Sequence, residues 1–197
     1  DFPDVPGQVV SDATLEQLIA DMNTLYTDMS CGKSSFALRG NGSAITPTVR
    51  MPKASSNYSS WTSLTKVLDD ARAAAAAAGY SHLDYTHEVV VTGASPLVAG
   101  TAGVARLGAR GAWLHNSQWN LKTCAHELGH NFGLPHSAAW DTDDGSVVGP
   151  GEVWDYGNVF DMMGVGASPH ASRHFGASLK EFLDWMPTSD VVKITTN

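Results

Sequence analysis

His126-Glu127-Leu128-Gly129-His130-Asn131-Phe132-Gly133-Leu134-Pro135-His136 spaces three histidines at intervals of four and six residues. On a helix, residues four apart project about 40° from one another, one turn apart on the same face. His126 and His130 can therefore share one Zn2+. Glu127 lies about 100° round from His126, badly placed for ligation but within reach of a water beside the metal. Were the helix to continue, His136 would point roughly 240° away from His130. The chain must break after His130 and double back. Gly133 supplies the break, because glycine enters the left-handed region without steric cost. Three neutral histidines with one position left open make a catalytic rather than a structural zinc site, and Glu127 is the natural proton acceptor in it.

The rest of the composition agrees with an enzyme acting on other polymers than nucleic acid. The chain has 197 residues, with 12 Lys+Arg against 20 Asp+Glu and a net charge of −8. That length suits one domain, or two lobes sharing a cleft. The acidic balance lacks the basic footprint of a nucleic-acid or anionic-membrane binder. No apolar run approaches the roughly 20 residues of a membrane-spanning helix. Only 16% of residues are charged, and Gly, Ser, Thr and Ala are plentiful, as is usual for exported proteins; a monomer is expected. The chain begins at Asp1 without Met, so a processed product is expected.

Upstream of the motif, the first nine residues, with Pro3 and Pro6, read as an extended arm. From Ser11/Asp12, apolar residues recur at three- and four-residue steps through Met29, predicting an amphipathic helix that ends near Cys31-Gly32. Strands are expected at Ser35–Leu38 and Ile45–Met51 around a Gly40-Asn41-Gly42 turn, followed by a polar loop, Lys53–Ser60. A second helix runs from about Trp61 to Ala78, with Leu64, Val67, Leu68 and Ala71 on one face and Gly79 as its stop. His87–Val91 reads as a buried strand. Val104–Leu107 and Ala112–Asn116 read as short strands among glycines. A third helix, from about Gln118, carries the motif. His136–Met163 reads as loop. A last helix from about Ser172 ends at Trp185-Met186-Pro187.

These segments together resemble the metzincins, the zinc endopeptidase clan with H-E-x-x-H-x-x-G-x-x-H and a later Met-turn. The second signature is Tyr156-Gly157-Asn158-Val159-Phe160-Asp161-Met162-Met163-Gly164, which is most similar to the gametolysin-like family. So are Met29–Lys33, Gly108–Asn116 and the closing Phe175…Leu183-Asp184-Trp185. The resemblance implies an α/β (α+β type) catalytic domain. Its first lobe, residues 1–132, holds a twisted, mainly parallel sheet, two long helices and the active-site helix. Residues 133–197 form a small irregular lobe with one helix. It also implies Met163 as the turn methionine, with Met162 as the alternative. Ser137 and Val165 stand where snake-venom-type and astacin- or serralysin-like relatives carry Asp and Tyr.

A secreted zinc metalloendopeptidase is therefore expected, hydrolysing peptide bonds with His126, His130 and His136 as ligands and Glu127 as general base. A metzincin-fold module that keeps zinc without turnover is the alternative, and hydrolysis of a non-peptide amide a third. The substrate is expected as an extended chain paired with Ala112, Trp113, Leu114 and His115 as an outer strand. Export favours a Cys31–Cys124 disulfide over free thiols. Asp141, Asp143 and Asp144 with Gly145 form a fragment of a Ca2+ loop without its later glutamate, so a solvated acidic loop is the better reading. His170 and His174, four apart, could pair on a metal but are better read as surface or interlobe histidines, and His82 and His87 fall into no pattern.

Overall fold

The structure is a computed structural model that describes residues 1–7, 10–36, 45–93, 101–115, 118–164 and 174–192. The expected Gly40-Asn41-Gly42 turn, the end of the Ser35–Leu38 strand, Asn116, Val165, His170, Ser172 and the Leu64 side chain lie outside the described residues. The chain divides into two compact units, Asp1–Met22 with Ala37–Gly133, and Asn23–Phe36 with Leu134–Asn197.

Helix α1, Asp12–Met29, begins where the sequence places a cap: the Thr14 amide donates to the Ser11 hydroxyl. It buries Met22, Leu25, Tyr26 and Met29, the stripe that its spacing predicts. Its end is closed by Cys31 and Gly32, both at positive φ (54° and 80°), with the Gly32 amide returning to the Thr27 carbonyl. Helix α2, Trp61–Ala77, opens on a reciprocal Ser60–Ser63 capping pair and gives way to Gly79 at φ 91°. Val67, Leu68 and Ala71 on α2 pack with Phe2, Met51, Tyr58 and Trp113 into the core of the first unit. Phe2 in the arm is thus a core residue, its ring 5.6 Å from that of Tyr58.

Ile45–Met51 joins no strand among the described residues. Pro47 withholds a ladder donor there, and the Met51 amide bonds the Asp1 carbonyl instead. The sheet of the first unit has strands β1, Val89–Thr92, β2, Gly103–Ala105, and β3, Ala112–His115, in the order β1-β3-β2. The β1–β3 pairing is parallel and β2–β3 antiparallel. The expectation that Ala112, Trp113, Leu114 and His115 form an outer strand is therefore corrected. They lie in the middle, all four buried, with their backbone groups already shared with β1 and β2. Among the described residues the outer strands are β1, which runs parallel to β3, and β2, which runs antiparallel to it.

Helix α3, Leu121–Asn131, starts at Asn120, whose side chain accepts from the Thr123 amide. In the second unit, the segment read as loop contains an antiparallel hairpin, β4, Ala139–Thr142, with β5, Gly151–Trp154. The last helix, α4, is short, Ala177–Phe182, and turns off at Asp184 with φ 55°. Tyr26, Phe175 and Trp185 form the aromatic core of this unit, with Tyr26 5.9 Å and 5.8 Å from the other two rings.

The two cysteines are free, which corrects the expected Cys31–Cys124 disulfide. Cys31 sits exposed in the left-handed turn after α1, whereas Cys124 is buried on α3. Burial, and then the nearby Glu127 charge, push the Cys124 thiol up to about 12.

Candidate metal and active site

Helix α3 presents His126 and His130 with ring centroids 4.8 Å apart and nearly perpendicular planes. Two anchors hold the end that carries them. The Gly108 amide donates to the His130 carbonyl at 2.8 Å. The Asn131 side-chain amide donates to the carbonyls of Arg106 and Gly111 and accepts from the Gly111 amide. Buried Asn131 therefore ties α3 to the β2–β3 connection, a role that its position inside the motif does not announce. Gly133 takes φ 92° and returns its amide to the His130 carbonyl, the break that the spacing requires.

Three residues later stands His136. Ligand atoms of His126, His130 and His136 all lie within 4.8 Å of one another, and each residue is half-buried. Such a donor set fits a tetrahedral zinc site with one position open. Among the described residues, no other group of three or more His, Cys, Asp or Glu is arranged to hold a metal. In the acidic loop, Asp144 accepts hydrogen bonds from Ser146, which hold its carboxyl below the usual range, and Gly145 turns the chain at φ 73°. His174 lies 3.2 Å from the Lys180 ammonium, and desolvation, then Lys180, lower its pKa.

Sequence reasoning missed the support of His136. Its Nδ1 lies 3.2 Å from the Asp155 carboxylate, and the Tyr156 ring lies tilted over it with centroids 3.6 Å apart. A carboxylate can only accept, so Nδ1 donates and the Nε2 lone pair is left for a metal. Tyr156 has φ 61°, a costly conformation for a residue with a side chain. Asp155 is nineteen positions from His136 in the chain, and only the hairpin brings them together. Tyr156-Gly157 was legible as a motif but not as a partner of this ring.

Glu127 is buried, and desolvation pushes its carboxyl up to about 8; a dication held nearby acts in the opposite direction. A Cβ on Gly103 of β2 would stand 2.9 Å from Glu127 Cγ and 3.0 Å from its Oε1. Gly103 is thus the space that Glu127 occupies, a second contact with no sequence signal beyond the glycine itself. Met163 and Met162 are both buried. Met163 sits in a turn in which its amide and that of Gly164 bond Asp161, and its carbonyl accepts from the Ser137 amide, next to His136. A Cβ on Gly164 would run into the Asn158 carbonyl, so the turn is closed tightly.

Residues 8–159 match Reprolysin_5, metallo-peptidase family M12. A search of curated proteins finds no match. Among solved structures, the fold is similar to archaemetzincin (amzA) from Methanopyrus kandleri, with a TM-score of 0.52 over 91% of this chain and 89% of that one, at 17% identity. The fold is metzincin-like, a mixed α/β arrangement of small sheets and several helices.

Proposed function

The chain belongs to metallo-peptidase family M12 and is a zinc metalloendopeptidase, and from that premise we propose how its residues divide the work. The observation that carries the reading is the histidine trio, with ligand atoms within 4.8 Å, beside a buried carboxylate that is not one of them. His126, His130 and His136 would hold one Zn2+, which supplies Lewis acidity to the scissile carbonyl and to a water. Glu127 takes the proton of the attacking water and returns it to the leaving amine nitrogen.

Outer strand β2 is the place for the substrate backbone. Glu127 lies against Gly103 of that strand, so an extended chain added there passes the proton acceptor. Asp155 and Tyr156 position His136. Met163 packs as the turn methionine and contributes no ligand. The low share of charged residues and the net charge of −8 support an exported enzyme acting on polypeptides.

The test separates binding from chemistry. Glu127→Ala should retain about one zinc per chain while casein hydrolysis falls by a factor on the order of 10² to 10⁴. His130→Ala should empty the site, since two histidines and water hold zinc poorly. Full proteolysis by Glu127→Ala would refute the assignment. Zinc retention and folding in wild type with no hydrolysis of any polypeptide would leave a binding module instead.

A further inference from the structure

Between Thr123 and Ser172 the chain has no Lys or Arg and seven Asp or Glu. Glu127 and Asp161 are buried; Asp141, Asp143, Asp144, Glu152 and Asp155 are exposed on the β4–β5 hairpin and its flanks. The register sets Asp141 directly opposite Glu152. Like charges opposite one another destabilise an antiparallel pair, and no basic residue of this segment offsets them. On the same face Ala139 pairs with Trp154, which is 51% exposed. The other face has Trp140 opposite Val153, 56% and 66% exposed. This sheet has only two strands among the described residues, fewer than an isolated sheet needs for stability of its own.

We propose that the β4–β5 hairpin is a docking surface for an extended, cationic segment of the polypeptide substrate, one alternating Lys or Arg with aliphatic residues and adding as a third strand. Alternation follows from the pleat, since successive side chains of an added strand point to opposite faces. Its basic side chains fall on the Asp141, Glu152 and Trp154 face, where two carboxylates and an indole take a cation. Its aliphatic side chains fall on the Trp140 and Val153 face. Exposed apolar surface on both faces distinguishes this arrangement from a metal site, for which the indoles would be useless. The step from docking to cleavage rests on the peptidase reading; docking itself does not.

Binding is read by fluorescence anisotropy on the full chain with zinc and with Glu127→Ala, so that nothing is cleaved. The probes are a labelled peptide alternating Lys with Val, a peptide of the same composition with all Lys before all Val, and one alternating Glu with Val. The alternating Lys peptide should bind tightest and weaken with added salt. Asp141→Asn with Glu152→Gln should weaken it about three- to tenfold, the loss of two exposed ion pairs. Trp140→Ser should weaken it without changing the salt response. With Glu127 intact, the hairpin variants should hydrolyse a short neutral peptide within about twofold of the parent, which reports that they fold. Equal affinity for the block and alternating peptides, or affinity indifferent to the hairpin substitutions, overturns the proposal. So does Ca2+ binding that the carboxamide pair abolishes while peptide binding stays unchanged, and so does preference for a neutral oligosaccharide. Failure of the chain to cleave any polypeptide leaves the docking result standing, so the two readings fail separately.

Discussion

Replacing Asp155 with Ala removes the hydrogen bond to His136 Nδ1 and also the one that Asp155 accepts from the Tyr156 amide. The Asp155 carboxylate lies 3.2 Å from His136 Nδ1 and is 66% exposed, so solvent already screens much of its charge. Loss of such an outer partner lowers metal affinity by about 10- to 100-fold in metalloenzymes generally. The exposure places this chain at the lower end, about tenfold, which corresponds to about 1.4 kcal/mol. The Tyr156 ring, tilted over the imidazole with centroids 3.6 Å apart, still limits how far it can swing. The assay is competition for zinc between the apoprotein and a chromogenic chelator, for wild type, Asp155→Ala and Asp155→Asn. Asn keeps an acceptor oxygen for the Nδ1 proton but no charge, so it should fall between the other two. Equal affinities for wild type and Asp155→Ala, in proteins of equal thermal stability, would show that the contact does not orient the ligand.

Gly103→Ala should displace the Glu127 side chain and lower kcat while leaving the zinc stoichiometry intact; loss of zinc with normal turnover by the residual holoprotein would refute the contact. One thiol, Cys31, should react readily with a maleimide in the native protein, and Cys124 only after denaturation, since it is buried with its thiol pushed up to about 12. Fewer than two reactive thiols in denatured, unreduced protein would disprove free cysteines. Burial lowers the pKa of His115, so the folded apoprotein binds fewer protons than the unfolded chain below the ordinary histidine pKa of about 6.5. Stability should be full above that pH and fall as pH drops through and below it. His115→Gln should flatten that slope in urea titrations of the metal-free protein, and an unchanged slope would show that the ring is solvated.

What the sequence made legible was local. Helices α1 and α2 follow from apolar spacing, α1 also from the cap at Ser11, because those signals act within four residues. Sequence reasoning missed the caps at Ser60 and Asn120, and α3 starts at Leu121 rather than near Gln118. The metal motif is legible for the same reason: helical spacing joins His126 to His130, and Gly133 turns the chain so that His136 returns. Strand order was not legible. Ala112–His115 is a compact run with one polar residue, His115, and nothing in it says whether a neighbour lies on one side or both; that depends on Gly103–Ala105 folding back against it. The hairpin was hidden because Gly, Asp and Pro dominate its connection while each strand offers only four residues, too few for a period-two pattern to stand out. Cysteine pairing likewise depends on where two distant segments meet.

The site itself follows the same division between local motif and distant support. His126 and His130 owe their relative placement to helical geometry, but their helix is held by Gly108 and by Asn131 through the backbone of the β2–β3 connection. His136 owes its reach to Gly133, but its ring is fixed by Asp155 and Tyr156. Glu127 owes its neighbourhood to the motif, but the room for its side chain to Gly103. Glu127, His130, Asn131 and His136 thus each have a partner at least nineteen positions away whose identity the motif does not specify. A chain with the same eleven residues and an ordinary side chain at position 103 would keep the zinc ligands and displace the base. One lacking the carboxylate at 155 would keep the base and hold the metal less tightly. The motif therefore specifies the chemistry, while these remote contacts set how well each part of it is placed.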